Sequence, residues 1–457
     1  MCQMSRLNSN IFRKYDIRGI VDQDLHYSDA YHIGKAIGTI FLRENITKIS
    51  IGRDVRLSSD ELFENLVKGV NEIGIDVIDI GVIPTPCLYF SVHKFNLEAG
   101  IMITGSHNPK DYNGFKIMFK NRSFYGDNVQ EIREICENEN FTYMQRKSDI
   151  EYINIIDDYV EETTKFLFNK GEMNICIDAG NGVTGEIVKI IAKKLNIPED
   201  NLLFCDMDGN FPNHHPDPTV EKNMQDLSRK VIEKSAKFGI GFDGDGDRIG
   251  IVDDLGRFIY GDVLMCILSR YLLLEEPNAT IISDVKASKV LFDEIKNLGG
   301  KPIMWKTGHS FIKDKMKKEN AALAGEMSGH VFYKNRYFGF DDGLYAAMRL
   351  IEIVEKYDLK LSKIIDELPK TFTTPEIKIE VSDDEKFAIM DKIIRYVKEN
   401  FENINDIDGV RVDEKDGWWL VRASNTQNCI IMRCEANSAD NLQKITHTVN
   451  ALVEKYL

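Results

Sequence analysis

The sequence predicts an α/β protein: three successive strand–helix rounds, followed by a smaller α+β segment. Three observations predict it. Short apolar runs alternate with amphipathic stretches from residue 48 to residue 324. Each round closes on a polar loop rich in glycine and reactive side chains, at residues 104–109, 243–248 and 325–330. From about residue 370 the order changes to strands with a long helix among them.

In the first round, Lys48 to Ile51 reads as a strand. Ser58 or Ser59 can cap a helix running to about Ile73, with Gly74 past its end. Asp76 to Ile80 is a strand, Pro86 to about Phe95 a helix, and Ala99 to Ile103 the strand that leads into Thr104-Gly-Ser-His-Asn-Pro109. A polar stretch near 137–150 precedes the second round: strand Asn174 to Asp178, helix Val183 to Leu195, strand Leu202 to Cys205, helix Val220 to Lys237 and strand Gly239 to Phe242. The third round starts with a helix, Asp262 to Leu274, then strand Thr280 to Ser283. Helix Ser288 to Asn297, strand Pro302 to Trp305, helix Ser310 to Lys318 and strand Ala321 to Ala324 follow. The last segment offers strands at Glu376 to Val381, Gly417 to Val421 and Cys429 to Glu435, with a helix near Glu385 to Phe401.

The chain has 457 residues, enough for about 2–4 domains. With 43% hydrophobic and 29% charged residues it reads as soluble and globular. It carries no apolar span long enough to cross a membrane, and its start lacks a signal-peptide pattern. Eight cysteines are scattered without any C-x-x-C pair, several of them in apolar runs. That pattern suits reduced core thiols in a cytoplasm, not disulfides or zinc. The formal net charge of −15 argues against nucleic acid or an anionic membrane as partner. An anionic small substrate would need a locally basic pocket.

Ser106 follows a buried-strand pattern and sits among turn formers, which places its hydroxyl at a strand end where α/β proteins bind ligands. The alternative is a turn serine that bonds only its own backbone. Asp243-Gly-Asp-Gly-Asp247-Arg248 sets three carboxylates two residues apart, with glycines that let the backbone curve around one hard cation. An EF-hand does not fit, because the sixth position is Arg248 and the twelfth Asp254. Mg²⁺ suits such an all-oxygen site. In Gly325-Glu-Met-Ser-Gly-His330, Glu326 and Ser328 can exchange hydrogen bonds with sugar hydroxyls, or form an ordinary glycine-rich turn. Arg422-Ala-Ser-Asn-Thr426 combines a guanidinium fork, hydroxyls and an amide suited to a phosphate dianion, or is a simple hairpin loop. Arg18, Lys116, Lys286 and His309 lie in or beside predicted loops and can jointly supply the positive field an acidic chain needs.

Together these motifs resemble the α-D-phosphohexomutase family, in particular its phosphomannomutase/phosphoglucomutase branch. The similarity runs from Phe12-Arg-Lys-Tyr-Asp-Ile-Arg-Gly19 to the C-terminal loop, with the four motifs in the family's order. The resemblance implies three similar α/β domains with mixed sheets and a smaller C-terminal α+β domain, around a central cleft. The expected boundaries are 1–149, 150–252, 253–369 and 370–457. It implies that Ser106 carries a phosphoryl group and that Asp243, Asp245 and Asp247 bind Mg²⁺ with an oxygen of that phosphoserine. Glu326 and Ser328 would contact the sugar. Arg422, Ser424, Asn425 and Thr426 would hold the phosphate that is not transferred. Arg248, Lys286, His309 and His330 would line the cleft, with Tyr15, Arg18, His107 and Lys116 near Ser106.

The implied reaction interconverts hexose 1-phosphate and hexose 6-phosphate through a hexose 1,6-bisphosphate, which also serves as activator. Lys116 and His309 are the candidates for general base, although lysine must lose its proton to act as one. Mannose and glucose both remain open as the sugar, and monomer and homo-oligomer as the assembly. Met327 argues against glucosamine phosphate, whose mutases typically carry glutamine there. A phosphoserine-dependent sugar phosphatase and a non-enzymatic sugar-phosphate sensor are the rival readings.

Overall fold

The computed structural model describes residues 7–120, 122–167, 171–424 and 427–457. They form two compact units: Met1–Tyr260 with Ser328–Ser362, and Gly261–Met327 with Lys363–Leu457.

The first unit holds two sheets. In the larger, the strands follow the order Ile17–Ile20, Tyr112–Phe119, Ala99–Ile103, Lys48–Arg53, Asp76–Val82 and Ile150–Tyr152. Lys48–Arg53 runs parallel to both Ala99–Ile103 and Asp76–Val82. Tyr112–Phe119 is antiparallel to Ala99–Ile103 and to Ile17–Ile20, so the sheet is mixed. All five residues of Ala99–Ile103 are buried, as a strand covered on both faces requires. Helix Ser59–Ile73 ends where expected, at Gly74 with φ +104°.

Helix Tyr27–Arg43 lies outside the helices read from the sequence. Residues Ile33 to Phe41 are all buried, and Ala30, Ile33, Ile37, Ile40 and Phe41 recur at helical spacing. It packs on Ser59–Ile73 through glycines. A Cβ on Gly34 would lie 2.3 Å from the Leu66 carbonyl oxygen, and one on Gly69 would lie 2.1 Å from that of Tyr31.

The second sheet follows the order Phe258–Ile259, Ile249–Val252, Gly239–Phe242, Cys176–Asp178 and Leu202–Leu203. Cys176–Asp178 and Gly239–Phe242 are parallel, and Ile249–Val252 returns antiparallel. The expected helix Val220 to Lys237 is instead a 3₁₀ turn, Glu221–Met224, followed by an α-helix, Gln225–Lys234. The first unit also contains strand Val331–Tyr333 and helix Gly343–Tyr357, whose N-cap carboxylate, Asp342, accepts from the Tyr345 amide.

In the second unit, Thr280–Asp284 lies parallel to Lys301–Trp305 and to Leu323–Gly325, as βαβ crossovers demand. The C-terminal part is an antiparallel sheet of Phe372–Thr373, Cys429–Ala436, Gly417–Ala423, Val410–Asp413 and Ile404–Asn405, with Ile377–Glu380 also pairing Cys429–Ala436. Helices Asp383–Asn400 and Ala439–Glu454 cover it, around a core that includes Trp419, Val421, Ile430, Met432 and Val449. This is the smaller α+β segment the sequence predicts.

The seven cysteines among the described residues are free and buried. Burial pushes the thiols of Cys136, Cys176 and Cys205 up to about 12. Among the described residues, no helix is long and apolar enough to cross a membrane.

Candidate active site

Two strands of the first unit deliver the chemistry. Ala99–Ile103 ends three residues before Ser106, and Gly239–Phe242 ends at Asp243. Ser106 is 2% exposed and has φ +50°, a conformation that costs a serine energy and turns its side chain out of the run of the strand. Its hydroxyl donates to Asp243 Oδ2 at 3.2 Å and lies 3.2 Å from His107 Nδ1. Burial, then the charges of Arg248 and Arg18, hold the His107 imidazole well below its usual range, so it is neutral.

Asp243, Asp245 and Asp247 are completely buried, and their carboxylate oxygens come within 4.8 Å of one another. Glycine is required between them, because a Cβ on Gly244 would lie 2.6 Å from the Ser106 carbonyl oxygen. Burial and the two neighbouring carboxylates raise Asp243 well above the carboxylate range. Burial would raise Asp247 too, but Lys116 and then His330 outweigh it and hold Asp247 well below. The Oδ1 atoms of Asp245 and Asp247 have no hydrogen-bond partner. Buried carboxylate oxygens that converge without donors are an all-oxygen ligand set, and the residues present fit a divalent hard cation.

Lys116 corrects the sequence reading in its placement. It lies within strand Tyr112–Phe119, not in or beside a loop, because Asn113-Gly114 pairs with Ile17–Ile20 instead of turning. Its ammonium donates to Asp245 Oδ2 at 2.7 Å and to Asp247 Oδ2. Burial opposes that charge, yet Asp245 and Asp247 raise its pKa further, so the ammonium serves as their counter-ion here.

Arg18 pairs with Asp16 and donates to Asn108 Oδ1 at 3.0 Å, which ties it to the Ser106 loop. Tyr15 is half-buried in the bend before strand Ile17–Ile20. Arg248 donates to His330 Nε2 at 3.3 Å, and that nitrogen is 3.4 Å from Asp247 Oδ1. Ser328 Oγ lies 3.0 Å from His330 Nδ1. The structure therefore gathers Ser106, His107, Lys116, Arg248, His330 and the three aspartates around one acidic centre in the first unit.

The second unit holds the other residues. Lys286 pairs with Glu376 at 2.9 Å, and Arg422 pairs with Asp408 at 3.0 Å. Arg422 lies in strand Gly417–Ala423 and not in the following loop. Ser424 Oγ accepts from the Gln427 amide at 3.1 Å. Glu326 is 2% exposed and accepts from the Gly308 amide at 2.6 Å, next to His309, the first residue of helix His309–Glu319. Asn425 and Thr426 lie outside the described residues.

Sequence reasoning missed several members. Thr85 donates to Asp245 Oδ2 at 2.5 Å. Asp408 orients Arg422 and also accepts from the Thr307 amide at 3.0 Å. Asp54 and Arg56 brace the Ser106 loop from behind. The only signal for that pair was a charged Arg53-Asp-Val-Arg56 run at a strand end.

Serial α/β domains with a serine hydroxyl held against three buried aspartates define a class of phosphoryl-transfer enzymes. Four family profiles match in sequence order: phosphoglucomutase/phosphomannomutase alpha/beta/alpha domain I over residues 9–143, domain II over 157–256, domain III over 260–372 and the C-terminal domain over 376–452. The chain belongs to the phosphoglucomutase/phosphomannomutase family. It is 43% identical to a phosphomannomutase/phosphoglucomutase of Pseudomonas syringae pv. tomato, over 98% of this chain and 96% of that one. It is 42% identical to a phosphoglucomutase of Neisseria gonorrhoeae, over 99% of this chain and 98% of that one. Among solved structures, a phosphoglucomutase/phosphomannomutase family protein of Burkholderia thailandensis superposes with TM-score 0.91 at 37% identity, covering 98% of this chain and 97% of that one.

Proposed function

We propose that this chain is a phosphohexomutase that interconverts hexose 1-phosphate and hexose 6-phosphate, with mannose, glucose or both as the sugar. The observation that carries the reading is the Ser106 hydroxyl, 2% exposed and 3.2 Å from Asp243 in a fully buried aspartate triad. Relatives named for both sugars support the breadth of substrate.

In this reading Ser106 Oγ carries the phosphoryl group. A free hydroxyl of the sugar phosphate attacks that phosphorus, the phosphorus–Oγ bond breaks, and a hexose 1,6-bisphosphate forms. The bisphosphate then returns its other phosphoryl group to Ser106. His107 Nδ1, 3.2 Å from Oγ and neutral, is placed to take the serine proton when Oγ attacks the bisphosphate. Asp243, Asp245 and Asp247 would hold Mg²⁺, which supplies Lewis-acid stabilisation of phosphoryl charge. Arg18 and Arg248 add fixed positive charge near the same centre. Lys286, Arg422 and Ser424 would bind the phosphate that stays on the sugar, so that remote binding energy aligns the reacting hydroxyl. Glu326 and Ser328 would read sugar hydroxyls, and His309 remains as the candidate to accept the proton of the attacking hydroxyl. Seven buried, unpaired cysteines support a reducing, cytoplasmic setting.

The test is Ser106→Ala assayed with hexose 1-phosphate, Mg²⁺ and a trace of the 1,6-bisphosphate. Turnover is expected to disappear, together with the phosphoryl mass on the protein. Near-normal turnover would sink the phosphoserine role. Comparing kcat/KM on mannose 1-phosphate, glucose 1-phosphate and glucosamine 1-phosphate fixes the sugar. Stoichiometric release of free phosphate would point to a phosphatase.

A further inference from the structure

We infer that Arg56, clamped by Asp54, is the positioning residue of the Ser106 loop, fixing the peptide planes on both sides of the serine so that its hydroxyl faces Asp243. The inference rests on the phosphoserine reading above.

The Arg56 side chain is fully buried, and a buried guanidinium must satisfy five N–H donors. All five are used. Nε donates to Asp54 Oδ2 at 3.2 Å. One terminal nitrogen donates to the carbonyls of Pro109 and Tyr112, the other to those of Ser106 and Asn108 at 2.7 Å each. One planar group thus collects three carbonyls from the turn that carries the nucleophile and a fourth from the first residue of strand Tyr112–Phe119.

The Asp54 carboxylate works on the opposite side of the serine. The Ser106 amide donates to Thr104 Oγ1 at 2.8 Å, and Thr104 Oγ1 donates to Asp54 Oδ2 at 2.7 Å. The Gly105 amide donates to the same oxygen at 3.1 Å. The N–H and the C=O of Ser106 are therefore both traced back to one ion pair. Fixing both peptide planes fixes φ and ψ, here a left-handed φ of +50°, and so fixes the direction of the Cα–Cβ bond. The carbonyl held by Arg56 is also the atom against which Gly244 of the aspartate loop packs. Arg56 thereby sets the spacing between the nucleophile and its acidic partners without touching the reacting atoms.

Lysine cannot replace this group, because an ammonium has three donors and no planar fork. The full-length protein is assayed with glucose 1-phosphate, Mg²⁺ and glucose 1,6-bisphosphate. In Arg56→Lys, kcat is expected to fall about 30- to 100-fold while KM stays within about threefold, the signature of a displaced nucleophile and not of lost substrate binding. Inorganic phosphate released per turnover is expected to rise as the loosened phosphoserine meets water. Thr104→Val, which cuts only the relay to the Ser106 amide, is expected to lower kcat about tenfold with the same unchanged KM. A folded Arg56→Lys protein with kcat close to wild type overturns the inference, as does a loss carried by KM alone. If Arg56→Lys fails to fold, Thr104→Val decides by the same criterion. Intact mass of the wild-type protein after incubation with the bisphosphate separates the two levels. A protein that never gains a phosphoryl group defeats the phosphoserine reading, whereas a phosphorylated wild type with indifferent variants defeats only the role of Arg56.

Discussion

Lys116 Nζ lies 2.7 Å from Asp245 Oδ2, and the same ammonium also binds Asp247. Neither aspartate side chain has any exposure, and the lysine side chain has 6%. The fold therefore carries its own cation inside the acidic triad. A group in that position limits the repulsion among three buried carboxylates.

Lys116→Met is expected to destabilise the metal-free protein by about 3–5 kcal/mol, the usual consequence of removing one partner of a buried ion pair. Mg²⁺ should then raise the melting temperature of the variant more than that of the wild type, since it supplies the missing charge. Thermal melts with and without Mg²⁺ check this. Equal metal-induced shifts in the two proteins contradict it.

Asp342 is a second buried acid, with a different balance. The hydroxyls of Tyr159 and Tyr337 donate to it at 2.8 and 2.7 Å, and the Tyr345 amide at 2.8 Å. Burial nonetheless outweighs these bonds and pushes its carboxyl up to about 7, from 3.8 in an open chain. Between those values the native state keeps a proton that the unfolded chain has released. Stability therefore falls as pH rises from about 4 to about 7, by roughly 1.4 kcal/mol per unit for this group. Asp342→Asn should flatten that fall in urea titrations taken across the window. An unchanged slope counts against the assignment.

Gly244 meets the Ser106 carbonyl oxygen through backbone, which cannot swing aside as a side chain would. Gly244→Ala is expected to leave a folded protein whose kcat is lower by roughly 10- to 100-fold, because the nucleophile and the aspartate loop must move apart. Steady-state kinetics with far-UV circular dichroism distinguishes this from global unfolding.

Arg422 presents a fork to Asp408, through Nε at 3.1 Å and a terminal nitrogen at 3.3 Å. A lysine cannot hold that geometry and still offer donors to a phosphate. Arg422→Lys is expected to raise KM for hexose phosphates about tenfold or more and to change kcat less. The opposite split would assign Arg422 to the chemical step.

Much of the fold and of the site is legible in the sequence. The runs at residues 99–103 and 239–242 are continuous and apolar, and each ends on a glycine-containing polar loop, so the serine and the first aspartate could be placed at strand ends. Gly74 announced a helix stop that the backbone confirms with φ +104°. The failures have physical causes. Helix Tyr27–Arg43 carries an apolar period at Ala30, Ile33, Ile37 and Ile40, but Gly34, Gly38 and Thr39, poor helix formers, interrupt it. Ser58 occupies the N-cap position but makes no capping bond; its Oγ accepts from Asn113 Nδ2 at 2.9 Å, so a tertiary partner displaced the local one. Asn113-Gly114 looks like a turn, and only its pairing with Ile17–Ile20 makes it strand. Arg56 carries no local signal, because its four carbonyl partners lie about fifty residues away in the chain. Long-range partners of this kind leave no local pattern to read.

The seven buried cysteines fall at positions 87 and 136, 176 and 205, 266, and 429 and 434. That distribution puts at least one thiol inside each of the four matched family domains. Shielded thiols react only when their surroundings open. The native chain thus carries its own set of timing marks: the order in which an alkylating reagent modifies these cysteines would report which domain opens first and how often, with no label introduced.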